Sequence, residues 1–285
     1  LLVEEGLLRW DSTLAEVFPD AAPAMDEGYR KVTLEQLLSH RAGAPAGTGR
    51  RALWATFWAH TGTPTEARRI ALQRITENAP EHEPGAQHEY SNYGFALAGL
   101  MCEQVAGEPF EKLLLERLLA PLGITTAGWG APGSEDEIDQ PRGHKYGRPV
   151  EPGRTADNPP VLSPAGRLHL SLADWAKYIA WHLRGAEGTG ELLAPETFRR
   201  LHTPAEGFEY ALGWSVPHRD WAAGRVLAHT GSNTMWYCVV WAAPKKGFAV
   251  LVATNEAGDA AAKACDEVAW ALIQRRLKLE QTPGG

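Results

Sequence analysis

Tyr90-Ser91-Asn92-Tyr93-Gly94-Phe95-Ala96-Leu97-Ala98-Gly99 runs on through Leu100-Met101-Cys102 to Glu103-Gln104-Val105-Ala106-Gly107. From Asn92 to Ala106 the residues are apolar on most faces, with Phe95, Leu97, Leu100, Met101 and Val105 spread around the axis. That pattern predicts a buried helix stopped by Gly107. A Pro/Gly turn, Pro84-Gly85-Ala86, comes just before it. Tyr90 therefore stands at a helix N-terminus, where a phenol can face a cleft. Asn92 places an amide donor and acceptor beside it. The tripeptide alone is a weak signal, and its surroundings carry the reading.

Working outward, helix signals dominate the first two thirds of the chain. Leu1 to Gly6 reads as the last turn of a helix with Gly6 as its stop. Thr33-Leu34-Glu35-Gln36 is a capping box opening a helix through Leu38. Thr63-Pro64-Thr65-Glu66 is a second, with Pro at the first helical position, and predicts a helix to about Asn78. Pro109 starts another, through Leu119. Ser171 caps one with Leu172, Trp175, Ile179 and Leu183 on one side, stopped by Gly185. Ala131 to Pro164 has no clear period and reads as a long irregular excursion.

Past Gly207 the pattern changes to β-branched and aromatic runs: Tyr210–Val216, Val226–Thr230, Met235–Ala242 and Phe248–Thr254. Pro244-Lys245-Lys246-Gly247 reads as a hairpin turn between the last two. Alternation along the third run puts Trp236 and Tyr237 on opposite faces of the sheet. A closing helix is expected from about Asp259 to Leu279, with Cys265, Val268 and Leu272 on the face that covers the sheet. The expected class is α+β, an antiparallel sheet flanked by helices. One domain over 1–285 is expected, with a mainly helical part at 7–206 and the sheet and final helix at 207–285.

Composition narrows the function. Hydrophobic residues at 44% and charged residues at 22% are ordinary for a globular chain. A net charge of -7 argues against a nucleic-acid partner, whose phosphates need a basic surface. No apolar stretch is long enough to span a bilayer. Cys102, Cys238 and Cys265 have no C-x-x-C spacing, and no H-E-x-x-H occurs, so neither a metal nor another cofactor is expected. There is no G-x-S-x-G elbow, P-loop or G-x-G-x-x-G. Leu38-Ser39-His40 sets Ser beside His, but neighbours at a helix end point apart, so both are read as structural.

The stretch from Tyr90 to Gly107, followed by Pro121-Leu122-Gly123-Ile124, resembles the second-motif segment of class C β-lactamases and their esterase and D-amino-acid-peptidase relatives. The resemblance extends both ways. Leu2-Val3-Glu4-Glu5-Gly6-Leu7-Leu8 resembles the stretch after that family's nucleophile helix. Val32-Thr33-Leu34-Glu35-Gln36-Leu37-Leu38-Ser39-His40-Arg41-Ala42-Gly43 resembles its "LLTHTSG" segment, and Pro164-Ala165-Gly166-Arg167-Leu168 with Ser171 and Asp174 its "PAGGL-ST-D" segment. Leu227-Ala228-His229-Thr230-Gly231-Ser232-Asn233 resembles the third motif, on an inner strand.

The resemblance implies a β-lactamase/transpeptidase-like fold whose sheet lacks its N-terminal strands here. It also implies acyl-enzyme chemistry on an ester, amide or β-lactam of a small molecule or peptide. Tyr90 would move the nucleophile's proton. Asn92 would contact the substrate's acyl-side carbonyl or the catalytic Lys. His229, Thr230, Gly231 and Ser232 would line the substrate, with the Ser232 N–H as one oxyanion donor. His229 replaces the Lys found there in most β-lactamases, and a neutral imidazole holds a carboxylate less firmly.

The family's nucleophile lies in Ser-x-x-Lys, and no Ser or Thr of these 285 residues has Lys three positions on. The resemblance places it on the helix whose tail is read at Leu1–Gly6, so it is expected upstream of Leu1. The chain as written is then inactive, with apolar surface and strand edges uncovered. The competing expectation is a non-catalytic binding relative of the same fold. Compartment and oligomeric state are not legible, although family members are often periplasmic or secreted.

Overall fold

The computed structural model describes residues 1–46 and 51–281. They form two compact units, each discontinuous in sequence. The first is Leu1–Pro121, Asn158–Leu168 and Pro204–Gly213, and the second Leu122–Asp157, His169–Thr203 and Trp214–Gly285. A linear boundary at 206/207 does not follow these units. The helix after Ser171 packs on sheet strands of the second unit, so it leaves the helical part it was expected to join.

The first unit opens with Leu1–Gly6 as a turn closed by a Schellman pattern. The Gly6 and Leu7 N–H groups donate to the Val3 and Leu2 carbonyls, both at 3.0 Å, and Gly6 has φ 74°. Its helices are α1 (Leu14–Val17), α2 (Glu27–Arg30), α3 (Leu34–Leu38), α4 (Arg51–Ala59), α5 (Pro64–Thr76), α6 (Asn92–Ala106) and α7 (Phe110–Leu114), which continues as π-helix over Leu115–Leu119. After an excursion into the second unit, α8 (Ser163–Gly166) returns to it. The Thr33 and Thr63 capping boxes are both formed. The core is continuous from Leu14, Tyr29 and Leu37 through Leu72 and Ile75 to Leu97, Leu100 and Leu162.

Helix α6 lies against α3, α5 and α8. Two glycines permit this. A Cβ on Gly94 would crowd the Leu37 carbonyl, and one on Gly99 would overlap the Pro164 ring. A buried ion cluster fixes its far half. Arg68 of α5 is wholly buried and donates to Glu103 of α6 (2.6 and 3.1 Å), to Glu111 of α7 (2.9 and 3.0 Å) and to the Pro160 carbonyl (3.4 Å). These contacts engage all five guanidinium N–H groups. Glu103 also accepts from Thr65 Oγ1 and the Phe110 N–H.

The second unit carries β1 (Gly128–Trp129), the hairpin β2 (Gly143–Lys145) and β3 (Arg148–Val150), helices α9 (Leu172–Ala186) and α10 (Pro195–Leu201), and the short pair β5 (His218–Arg219) and β6 (Gly224–Arg225). Strand β4 (Leu168–His169) lies where the chain passes from the first unit to the second. The main sheet is an antiparallel meander of β7 (Leu227–Ser232), β8 (Tyr237–Ala243) and β9 (Phe248–Thr254), with α11 (Asp259–Gln281) packed on β8 and β9.

Several expectations change here. The 143–150 hairpin lies inside the stretch expected to be irregular, and turns on Tyr146 and Gly147, both at positive φ. Tyr210–Val216 forms no strand and contributes only isolated bridges, at Tyr210 and at Ser215, the latter with Ala228. Gly185 does not stop α9. It lies one residue inside, where a Cβ would run into the Phe198 ring of α10. On α11 the buried stripe is Cys265, Ala269 and Ile273, whereas Val268 and Leu272 are nearly half exposed. Small residues at 265 and 269 let the helix settle against Val239 and Val250.

His182 of α9 and His202 after α10 meet at 2.8 Å, Nδ1 to Nε2, among Tyr178, Trp181, Phe198 and Trp214. Burial pushes the His182 pKa down to about 3, helped by His202, and burial pushes His202 down to about 4.

Both features predict measurable behaviour. Arg68→Met should cost about 3–5 kcal/mol, because the buried Glu103 and the partly buried Glu111 carboxylates lose their counter-charge; urea unfolding at neutral pH measures it. The histidine pair binds protons more readily unfolded than folded. Its stabilisation is therefore complete above about pH 6.5 and falls as pH drops toward 4 and then 3. Between pH 6.5 and 5 each imidazole should forfeit up to about 2 kcal/mol. The double variant His182→Gln/His202→Gln should flatten that part of the pH–stability curve.

Candidate functional site

Tyr90, Ser91 and Asn92 sit at the N-terminus of α6, in the first unit. Ser91 is the N-cap and accepts the Gly94 N–H through Oγ at 3.2 Å. The same hydroxyl donates to the Pro45 carbonyl at 2.7 Å, and the Ser91 N–H donates to His40 Nδ1 at 3.1 Å. Ser91 is thus buried and tied on three sides, which leaves Tyr90 and Asn92 to face outward. Tyr90 is 48% exposed, and its hydroxyl donates to Asn92 Oδ1 at 3.0 Å. Partial burial of the phenol pushes its pKa above the ordinary value, so Tyr90 is neutral at pH 7.

The segment before it is strapped to the chain after α3. Gly85 N–H donates to the Arg41 carbonyl, Arg41 Nη2 to the Gly85 carbonyl, Glu81 N–H to the Gly43 carbonyl and Glu89 N–H to the His40 carbonyl. Arg41 also lies over the Phe208 ring, 4.3 Å from its centre. Ser39 turns back on its own helix, donating to the Glu35 carbonyl at 2.7 Å, so Ser39 and His40 form no dyad. The sequence marks His40 only as structural and gives no sign of its engagement with Ser91. No local pattern links positions 40 and 91.

The other motif belongs to the second unit. His229, Thr230, Gly231 and Ser232 occupy β7, opposite Val240, Val239, Cys238 and Tyr237 of β8. Two periodicities sort them. Side chains alternate, so Thr230 and Ser232 share the face of Val239 and Tyr237, toward α11, and His229 and Gly231 share the other. Thr230 and Tyr237 side chains hydrogen-bond there. Backbone direction alternates too. Ala228 exchanges both of its hydrogen bonds with Ser215, at 2.9 and 3.0 Å, away from β8. Antiparallel parity then aims the Thr230 and Ser232 N–H groups out along the same edge. Gly231 is needed beside Cys238, whose Sγ a Cβ would press.

His229 is half-buried. Burial pushes its pKa down, while a hydrogen bond to the Thr230 backbone works the other way, and the ring is neutral at pH 7. The turn after β7 is built by Asn233. Its Oδ1 accepts from the Met235 and Trp236 N–H groups, and its Nδ2 donates to buried Asp157 at 2.9 Å. Thr234 takes φ 74°, and its N–H donates to Ser232 Oγ. Trp236 packs over Gly143 and not over the α11 face, where Tyr237 lies. Among the described residues, no group of three or more His, Cys, Asp or Glu comes together to hold a metal ion, and no helix is long and apolar enough to cross a membrane.

A family model described as Beta-lactamase matches residues 1–274. Penicillin-binding protein 4 of Amycolatopsis lactamdurans is 24% identical over 268 residues, covering 89% of this chain and 67% of that protein. An unguisins hydrolase of Aspergillus campestris is 24% identical over 261 residues, covering 87% of this chain and 47% of that one. Among solved structures, the octameric penicillin-binding protein homologue from Pyrococcus abyssi superposes with a TM-score of 0.69 at 25% identity, over 90% of this chain and 58% of that one. The chain thus spans about half to two thirds of the length of these proteins.

Ser91→Ala removes the cap of α6 and leaves the Pro45 carbonyl without its donor. The expected cost is about 2–4 kcal/mol, read as a lower denaturation midpoint with loss of the Gly94 amide's exchange protection.

Proposed function

The chain belongs to the β-lactamase family of serine hydrolases, and from that premise we propose that its first unit carries the proton-transfer part of an acyl-transfer site acting on an ester or amide. The observation that carries the reading is the half-exposed Tyr90 phenol held on Asn92 at the head of a buried helix. In the proposed reaction a serine oxygen bonds to the substrate carbonyl carbon. Its proton moves through Tyr90 to the leaving oxygen or nitrogen, whose bond to carbon then breaks. Water releases the acyl group by the same route in reverse. The outward N–H of Ser232 suits an oxyanion donor.

These 285 residues contain no Ser-x-x-Lys, so the proposed reaction takes its acylated serine from outside them. Making a phenolate at pH 7 costs about 4 kcal/mol from an unperturbed pKa, and more from a raised one. The residues that bring the serine must therefore bring positive charge as well. His229 bears on the substrate. A neutral imidazole gives a substrate carboxylate little Coulombic hold, so an ester or amide without that anchor fits better than a carboxylate-bearing β-lactam. The names of the relatives, for penicillin binding and for unguisin hydrolysis, agree with acyl chemistry without choosing between these.

The test compares this chain with the longest polypeptide its gene encodes, each treated with a fluorophosphonate and a fluorescent penicillin. Mass should be gained by the longer form only, on the Ser of a Ser-x-x-Lys, and Tyr90→Phe should slow acylation by about 10²–10⁴-fold. An adduct on the 285-residue chain would overturn the assignment. A longer form that binds substrate and is never acylated would favour a non-catalytic relative. In the longer form, His229→Lys should tighten binding of carboxylate-bearing penicillins and leave neutral esters unchanged.

A further inference from the structure

His40 is the buried residue to which the Tyr90 segment is attached. It is 3% exposed and takes φ 55°, a left-handed backbone that His and Asn tolerate better than most residues. Its Nδ1 accepts the Ser91 N–H, and its carbonyl accepts the Glu89 N–H, so it holds the residue on either side of Tyr90. Its ring also touches Tyr90 itself, with centres 4.4 Å apart, and packs on Phe95 and Tyr210 at 5.0 and 4.8 Å. A backbone N–H must donate, so Nδ1 is the bare nitrogen and the imidazole is the neutral Nε2–H tautomer.

We propose that His40 is a positioning residue for Tyr90: its neutral imidazole grips the backbone after that residue and seats its ring, while its carbonyl holds the backbone before it, and so His40 sets where the phenol stands. The use made of the phenol rests on the acyl-transfer reading, but the positioning does not. Protonating His40 would put an N–H against the Ser91 N–H and release the grip. Among the described residues, the titratable side chains whose rings pack on it are His88, Tyr90 and Tyr210. The neighbouring charges point elsewhere, Arg41 onto Gly85 and Phe208 and Glu89 toward His82.

Two measurements test this without turnover, so failure here leaves the hydrolase reading untouched. In ¹⁵N-labelled protein at neutral pH, His40 Nδ1 should be unprotonated and coupled to the Ser91 amide across the hydrogen bond. A proton on Nδ1 overturns the proposal. Separately, the Tyr90 ionisation is followed by ultraviolet difference titration, assigned by its loss in Tyr90→Phe. His40→Asn keeps an acceptor and the left-handed backbone, and should keep the wild-type titration. His40→Phe keeps a ring without the acceptor and should raise the Tyr90 ionisation constant about tenfold as the phenol moves into solvent. A folded His40→Phe protein that titrates as wild type, or a His40→Asn protein that shifts as far as His40→Phe, overturns it. If His40→Phe does not fold, the nitrogen assignment decides alone.

Discussion

The first unit depends on a guanidinium that water never reaches. Burying Arg68 would be prohibitive if any of its N–H groups were left unpaired, since the desolvation of a charge is recovered only through close, well-directed partners. Glu103, Glu111 and the Pro160 carbonyl meet that requirement together. They come from α6, α7 and the turn before α8, so satisfying one side chain sets the mutual placement of those elements and α5. Hydrophobic contacts alone would tolerate small slides of α6 along its neighbours. The bidentate pair with Glu103 does not, because a guanidinium fork accepts a carboxylate in few geometries. The consequence appears at the other end of the helix, where Tyr90 and Asn92 emerge.

Ser91 does at that end what Arg68 does at the far one. It spends its hydroxyl on the Gly94 N–H and the Pro45 carbonyl and its N–H on His40, so the short polar motif has one member facing in and two facing out. In the second unit the same result comes from strand parity. Facing, backbone direction and the small size of Gly231 together leave the Ser232 N–H aimed along the edge of β7, and Asn233 fixes the turn that follows by bonding two backbone N–H groups and Asp157. Each motif is therefore held by residues outside it.

That explains what was legible. Capping boxes, N-cap serines and stop glycines act within four residues, so α3, α5 and α6 could be read directly, α6 to both ends. The β8–β9 turn at Pro244–Gly247 is equally local. The misreadings are long-range. Gly185 carries the signature of a helix stop, yet its reason is the Phe198 ring of another helix. Cys265, Val268 and Leu272 lie within one broad arc of α11. Only the sheet beneath decides that the smaller side chains at 265 and 269 go inward. Tyr210–Val216 has strand-forming residues but forms only isolated bridges, at Tyr210 and Ser215. His40 meets Ser91 across 51 positions, and Arg68 meets Glu103 across 35, distances over which one sequence gives no pairing signal.

The titratable members of the two motifs share one electrostatic property. Burial raises the phenol of Tyr90 and lowers the imidazole of His229, and both shifts favour the neutral form. Neither motif as it stands provides charge to a polar transition state. What they provide is direction: a hydroxyl aimed by Asn92 and a backbone N–H aimed by strand parity. Directed dipoles stabilise a developing oxyanion without reorganising, but a proton abstraction needs a base, and a phenol with a raised pKa becomes one only beside a cation. Under the proposed acyl-transfer reading, Tyr90 is half of an acid–base pair, and its activity is set by whichever positive charge is brought to it.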